Sequence, residues 1–312
     1  MSHATIILML LLGLILTVKG GDLFVDAAVW LAETLGLPKF LVGATVVSLA
    51  TTLPELAVSL LAAVRGAAGI AAGNAVGSVA ANLGLILGIS LCCSPAPLDR
   101  RQVGRLLLMA GSAALLGLLG LSGGIALPWA LLPLGICAAF LWHSAAAGRR
   151  ESARAARPES RLLAGCGLRF VCGAASIAAG ARLLCDYGAM LARLCGVPDG
   201  VIGATLVAVG TSLPELVTAL TALARGEGSL SVGNIVGANI IDLTLILPLC
   251  ALVNGGRLAL PRQSLTLDMP FCLALCTVAV VPPLLTGRFR RGQGAALLGL
   301  YGLYVALVIG GN

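Results

Sequence analysis

Residues 43–88 of the chain recur at residues 203–248. The segment GATVVSLATTLPELAVSLLAAVRG, beginning at Gly43, returns as GATLVAVGTSLPELVTALTALARG, beginning at Gly203. GNAVGSVAANLGLIL from Gly73 returns as GNIVGANIIDLTLIL from Gly233. The two stretches share 21 identities in 46 positions at a constant spacing of 160, without an insertion. The register extends upstream, where Gly20 meets Gly180, Asp26 meets Asp186, and Gly36 and Pro38 meet Gly196 and Pro198. A chain that states one unit twice folds as two related halves, so this repeat constrains the architecture more than any single motif does.

Composition says what the unit is made of. Of 312 residues, 59% are hydrophobic and 11% charged, at a mean hydropathy of +1.03, whereas a soluble domain carries about 25% charged residues. The chain therefore reads as an all-α polytopic membrane protein. Apolar runs bounded by Gly, Pro and charge clusters place ten spans near 4–35, 38–64, 71–93, 103–122, 126–147, 161–194, 197–223, 231–253, 264–285 and 294–311. The apolar run from Thr5 to Val18 has neither a basic leader nor a small-residue cleavage site, and reads as a retained first span. Five spans, residues 1–147, form the first half and five more, 161–312, the second, with 148–160 as a linker. An odd number of crossings per unit forces the second half into the membrane upside down. That is the inverted-repeat plan of secondary transporters, whose substrate lies near the midplane where interrupted helices of both halves meet.

Charge sets the expected orientation. The connections 94–105, 148–160 and 286–293 carry Arg100, Arg101 and Arg105, then Arg149, Arg150, Arg154 and Arg157, then Arg288, Arg290 and Arg291. Ten spans put all three on one side, the cytoplasmic one by the positive-inside rule, and put the nearly uncharged turn at 123–125 on the other. Both termini are then expected outside a plasma or inner membrane. The formal charge of +7 reads as this orientation signal rather than as nucleic-acid binding. With only His3 and His143, histidine-built metal sites are excluded. The ten cysteines lie in or beside apolar runs without a CxxC pair and read as small core residues.

The carboxylates least able to reach an interface are Glu55 and Glu215, each directly after a proline, together with Asp242. A carboxylate inside a bilayer is a functional hypothesis by default. No Lys or Arg lies beside these three within their spans, since Arg65 and Arg225 fall at span ends. The missing counter-charge is most simply a transported cation. Pro54 and Pro214 free the carbonyls of Ala50 and Gly210 from their intrahelical partners. Thr51, Thr52, Thr211 and Ser212 place hydroxyls on the same turns as the glutamates. Asn74, Ser78 and Asn82 share one face of the third span, and the eighth repeats the stripe as Asn234, Ala238 and Asp242. Oxygen ligands without nitrogen or sulfur describe a site for hard cations such as Ca²⁺ or Na⁺. A kinked helix with an internally bonded glutamate would account for one copy of the motif; two copies in inverted register favour the ion site.

ATTLPE at 50–55, GTSLPE at 210–215 and the GNxVG segments at Gly73 and Gly233 resemble the two alpha repeats of the sodium/calcium exchanger family, within the cation/calcium antiporter superfamily. The resemblance covers nearly the whole chain. It implies ten helices with four interrupted core helices around the ions, and electrogenic exchange of several Na⁺ for one Ca²⁺. Carried over position by position, it implies that Glu55 and Glu215 are shared Ca²⁺/Na⁺ carboxylates, with Thr51, Thr52, Thr211 and Ser212 supplying hydroxyl or carbonyl oxygens. Ser48 and Ala208 would contribute main-chain carbonyls, and Ser78, Asn82 and Asp242 would complete the centre. Asn82 in one repeat against Asp242 in the other is closer to the microbial exchangers than to the potassium-dependent branch.

Five positions depart from the family pattern. Ser48 replaces an alanine, Ala50 a glycine, Thr52 a serine and Val79 an asparagine, and Ala238 stands where the second repeat has serine. The last change removes a hydroxyl and keeps a Ca²⁺/H⁺ antiporter as the alternative to Na⁺/Ca²⁺ exchange. An intramembrane hydrolase is opposed by the scarcity of His and the absence of GxSG or GxGD elements, and a passive channel differs in needing no counter-ion. The chain is thus expected to be a transporter and not an enzyme. It is expected to need no cofactor, to bind Na⁺, Ca²⁺ or H⁺ only as cargo, and to have the lipid bilayer but neither nucleic acid nor an obligatory protein as partner. The first and sixth spans are each about 30 residues long, and Lys19, Asp22, Asp26 and Glu33, with Arg182, Asp186 and Arg193, trace one face. Such a pair would slide over the core or simply reach into water. The linker 148–160 is too short for regulatory calcium-binding domains.

Overall fold

A computed structural model describes residues 3–152, 160–195 and 208–310. In the bilayer core the backbone must satisfy its own polar groups, which leaves apolar segments of this length only the helix. The helices are α1 (His3–Thr34), α2 (Lys39–Val64), α3 (Ala68–Cys93), α4 (Arg100–Gly120), α5 (Leu127–Ser152), α6 (Ser160–Leu194), α7 (described as Ala208–Thr211 and Leu213–Ala224), α8 (Gly228–Val253), α9 (Ser264–Thr286) and α10 (Arg291–Gly310). Each expected span coincides with one of them to within a few residues, apart from the opening of the seventh, at 197–207, which lies outside the described residues. The fold is all-α, with ten helices. All ten cysteines are free thiols, and Cys137, Cys250, Cys272 and Cys276 are buried among apolar side chains.

Local chemistry sets the ends. Asp99 Oδ1 accepts from the Arg101 amide at 3.0 Å while the Asp99 amide donates to Gln102 Oε1 at 3.2 Å, a capping box that starts α4. Gly66 and Gly226, equivalent in the repeat, adopt φ of 74° and 75° and turn the chain sharply out of α2 and α7. The connection expected as a plain turn at 123–125 enters a short strand instead. Gly124–Ala126 (β1) pairs antiparallel with Arg257–Ala259 (β2) and ties the α4–α5 and α8–α9 connections together. At the opposite end Pro97 pairs with Arg288, joining the α3–α4 and α9–α10 connections. Connections that meet share a membrane face, and these pairings obey the alternation that ten crossings require.

Packing divides into a core and a flanking pair. Helix α8 is the most enclosed helix, with every residue from Leu230 to Ile241 buried. It crosses α2 closely because Gly233 faces Phe40: a Cβ there would stand 3.0 Å from the Phe40 carbonyl carbon and closer still to its oxygen. Helices α1 and α6 pack along a seam of small residues, Gly13 against Gly180 and Gly20 against Gly173, with the Phe24 and Phe170 rings 4.4 Å apart. A shift of 160 exchanges these two glycine contacts with one another, as an internal two-fold requires. At 32 and 35 residues, α1 and α6 extend about 50 Å, well beyond the ~30 Å hydrocarbon thickness.

The polar residues on this pair find partners. Arg225 Nη2 lies 2.8 Å from Asp22 Oδ1, and the same guanidinium contacts Asp26. Lys39 bridges Glu33 at 3.0 Å and Glu227 at 2.6 Å, and Arg182 faces Asp186 at 3.7 Å. The pairs of Arg225 and Lys39 tie α1 to the α7–α8 turn and to the start of α2, the Arg182–Asp186 pair lies within α6, and being partly exposed each contributes at most about 1 kcal/mol. The Gly233 crossing matters more. Gly233→Ala is expected to push α2 from α8 and destabilise the protein by about 1–3 kcal/mol, read as a lower thermal midpoint in detergent. Gly135→Ala, where an added Cβ meets no atom within 4 Å, should not lower the midpoint, since alanine is the better helix former.

Candidate functional site

The two halves meet at residues that face their own counterparts. Asn82 Nδ2 lies 3.5 Å from Asp242 Oδ2, and the two positions are 160 apart. A residue that touches its symmetry mate stands on the internal two-fold axis, so this pair marks where the axis crosses the core. Glu55 and Glu215 are likewise equivalent by 160, and they interact electrostatically with each other and with Asp242. Thr52 Oγ1, beside Glu55 in the first half, reaches Glu215 Oε1 in the second at 3.5 Å. The asymmetry of Asn82 against Asp242 has a physical reason on this axis: an amide can donate to the facing carboxylate, whereas a second aspartate would repel it.

Wide turns in the core helices bring these side chains together. Helix α2 has an i→i+5 turn at Gly43–Val47 just ahead of the 48–55 segment, α3 has one at Asn82–Leu87, and α8 has its counterpart at Asp242–Ile246. Such turns insert a residue into the helical ladder and re-aim the side chains around them. The two prolines act differently. Helix α2 stays helical from Ser48 through Pro54 to Val64, whereas α7 is interrupted at Ser212, where φ and ψ are −87° and 7°, and the helix resumes at Leu213 with Pro214 in its first turn. The first half thus runs past its proline without interruption, and the second is interrupted at one residue. The counterparts of Gly43–Val47 precede Ala208 and lie outside the described residues.

Among the expected site residues, Ser48, Thr51, Thr52, Glu55, Ser78, Asn82, Ser212, Glu215 and Asp242 are all buried, none more than 3% exposed. Thr211 is half-buried, and Ala208 opens the described part of α7. Burial without partners is the decisive feature. Glu55 Oε1 and Oε2, Glu215 Oε2, Asp242 Oδ1, Asn82 Oδ1, Ser78 Oγ and Ser212 Oγ have no hydrogen-bond partner among the described residues. Interiors do not leave so many polar atoms unsatisfied in one place without a function for them. Among the described residues no three of His, Cys, Asp and Glu converge on a single point, so this is not a cage of carboxylates alone. The unpartnered oxygens are instead a mixture of carboxylate, amide and hydroxyl groups, the donor set that suits hard cations.

Around this centre, amides brace the helices. Asn74 Nδ2 donates to the Glu55 carbonyl at 3.1 Å and to Ser59 Oγ at 2.8 Å. Thr51 Oγ1 lies 3.3 Å from both Asn234 Oδ1 and the Ser48 carbonyl. Asn239 is a site residue that reading the sequence missed: its Oδ1 accepts from Asn82 Nδ2 at 3.2 Å, and it is fully buried. Its first-half counterpart is Val79, so the repeat did signal a polar residue standing opposite an apolar one.

The family model described as sodium/calcium exchanger protein matches residues 5–146 and 167–310. The chain belongs to the sodium/calcium exchanger family. Relatives include the sodium/calcium exchanger MaX1 of Methanosarcina acetivorans, 31% identical over 96% of this chain and 97% of that protein. The inner membrane protein YrbG of Escherichia coli is 33% identical over 96% and 95% of the two chains. Among solved structures, the sodium-calcium exchanger NCX_Mj soaked with Na⁺ and without Ca²⁺ superposes with a TM-score of 0.85 at 29% identity, covering 96% of this chain and 98% of that one. The same protein soaked with Na⁺ and Sr²⁺ gives 0.86 at 28% identity, covering 97% and 98%. The chain is accordingly a multi-pass membrane transporter of the exchanger family and not an enzyme.

Asn239→Leu tests the brace. It should leave the Asn82 amide with only its 3.5 Å contact to Asp242 Oδ2, at a cost of about 1–3 kcal/mol, lowering the thermal midpoint and weakening Ca²⁺ binding by roughly five-fold or more, measured as Ca²⁺-dependent stabilisation of the purified protein.

Proposed function

We propose that this exchanger moves Ca²⁺ out of the cell against inward Na⁺, with Glu55 and Glu215 binding either ion in turn. The single observation that carries the reading is the set of unpaired, fully buried carboxylate and hydroxyl oxygens on the internal axis. Sodium and calcium are the ions named for MaX1 and for NCX_Mj, which the chain matches over nearly its whole length. In this reading Thr51, Thr52, Thr211 and Ser212 supply hydroxyl or carbonyl oxygens, Ser48 and Ala208 offer main-chain carbonyls, and Ser78, Asn82 and Asp242 complete the centre.

Obligatory exchange follows from electrostatics. An empty site would hold three carboxylates, Glu55, Glu215 and Asp242, with no cationic side chain beside them among the described residues, and taking such charge through a low-dielectric interior uncompensated is prohibitively costly. Loaded with a divalent ion or with several monovalent ones, the same core becomes nearly neutral and free to change its exposure. Ions that compete for one pair of carboxylates therefore cross in alternation. The α1–α6 pair, held along its glycine seam and tied to the core by Lys39 and Arg225, is suited to slide over the core as one body. The halves 1–147 and 161–312 are the units of this inverted arrangement. The arginine-bearing connections would face the cytoplasm and both termini the outside.

The test is ⁴⁵Ca²⁺ uptake into proteoliposomes loaded with Na⁺ and diluted into Na⁺-free medium, with a parallel arm in which a pH gradient replaces the Na⁺ gradient. Uptake that requires internal Na⁺ is expected. Glu55→Gln and Glu215→Gln should each lower it at least 100-fold while eluting from size-exclusion chromatography as the wild type does. Uptake driven only by internal acid would overturn sodium coupling, and normal transport by both variants would overturn the site.

A further inference from the structure

The internal two-fold holds for the backbone plan but not for how the flanking pair sits on the core. Helix α1 lies closely on α7: a Cβ on Gly21 would stand 2.9 Å from both Thr221 Oγ1 and Val217 Cγ1, and Thr218 on the same stretch is fully buried. A shift of 160 turns Thr218 and Thr221 into Val58 and Leu61 of α2, which are 39% and 51% exposed. The end of α7 is thus covered where the equivalent end of α2 is open. The covered end leads into the α7–α8 turn, which the alternation of crossings puts on the membrane face of the arginine-bearing connections. The open end leads into the α2–α3 turn on the opposite face. Charge follows the same asymmetry. At the covered end Arg225 Nη2 lies 2.8 Å from Asp22 Oδ1 and the same guanidinium contacts Asp26, joining the residue after α7 to α1. At the open end the equivalents of Arg225, Asp22 and Asp26 are Arg65, Arg182 and Asp186. An arginine replaces one acid there, and the remaining acid, Asp186, faces Arg182 on its own helix at 3.7 Å.

We infer that Arg225, gripped by Asp22 and Asp26, is a one-sided ionic latch that holds the α1–α6 pair down on α7 and so sets which membrane face the ion centre rests open to. The inference rests on the exchange reading above and adds to it a control of the motion. Inverted halves swap their arrangements when the site changes face, so identical halves would make the two states equal in energy. The latch removes that equality. Its contacts exist with α1 seated on α7, whereas the swapped arrangement, with α6 seated on α2, has one acid and an extra arginine in their place. Arg225 must therefore let go in every cycle, and partial exposure suits it to do so, because a solvent-screened pair holds only weakly. An ion arriving at the latched face meets only the fraction of molecules open to it, and its apparent affinity there falls by that fraction.

Arg225→Gln tests the latch in proteoliposomes whose orientation is read from trypsin cleavage of the linker that carries Arg154 and Arg157. The half-saturating Ca²⁺ concentration is measured separately at the face of the α7–α8 turn and at the opposite face. Releasing the latch should lower it roughly three- to ten-fold at the latched face and leave it unchanged or raised at the other. Asp22→Asn/Asp26→Asn should give the same one-sided shift. Asp22→Lys/Asp26→Lys/Arg225→Glu, which restores the attraction with its signs reversed, should return the wild-type values. Raising ionic strength with choline chloride should move the wild type toward Arg225→Gln and leave that variant in place. A packing role for these residues would shift both faces alike and would not be rescued by charge reversal. Half-saturation unchanged at both faces in Arg225→Gln overturns the inference, as does an equal shift at both faces or a folded reversal variant as altered as the single one. Should Arg225→Gln fail to fold, the double aspartate variant decides by the same criteria. A wild type without Ca²⁺ uptake under either a Na⁺ or a pH gradient overturns the exchange reading and the latch with it, whereas a wild type that exchanges ions beside an unaltered Arg225→Gln overturns the latch alone.

Discussion

Carboxylates held inside a bilayer without cationic partners shape everything else in this molecule. Glu55, Glu215 and Asp242 are each about 1% exposed, and two basic side chains of the core helices, Lys39 and Arg225, are already engaged by Glu33, Glu227, Asp22 and Asp26. Desolvated charge of this kind persists only if something else compensates it part of the time. The same requirement explains the oxygen-rich surroundings, the wide turns that aim those oxygens, and the enclosure of α8.

Symmetry makes so dense a site possible with short side chains. Because the halves are inverted copies, one motif delivers its groups from both sides of the axis, and Asn82 can reach Asp242 although they are 160 residues apart. Perfect symmetry would be unfavourable there, since identical acids on the axis would repel. The departures from it are therefore informative. Asn82 faces Asp242, Val79 stands opposite Asn239, and a continuous α2 faces a broken α7. Each makes the two sides of the centre chemically different while keeping one backbone plan.

Close helix approach is the second requirement. Gly233 brings α2 against α8, and Gly237 beside it opens the space that Ser48 enters. The α1–α6 pair uses the same device at Gly13, Gly20, Gly173 and Gly180, but for a different end: glycines that admit the facing backbone and side chains keep two long helices packed together. Small residues thus build both the close α2–α8 crossing and the flanking pair packed beside it.

The membrane class, the ten crossings, the inverted halves and the identity of the buried carboxylates were all legible in the residues, because hydropathy and a fixed repeat spacing are properties of the chain itself. The strand pairing of Gly124–Ala126 with Arg257–Ala259 was not, since three residues of no marked pattern become a strand only when a distant partner arrives. Nor was the role of Asn239, which depends on its facing Asn82 across the axis. The sequence also placed Pro54 and Pro214 identically, yet one helix continues and the other breaks, because the surrounding packing decides whether a proline's missing hydrogen bond is absorbed or becomes a helix end. What the sequence determined by itself is which groups enter the membrane and how many times the chain crosses. Which of those groups meet, and with which oxygens unpaired, was decided only by the tertiary structure, because contacts between inverted halves follow from the position of an axis that no local pattern records.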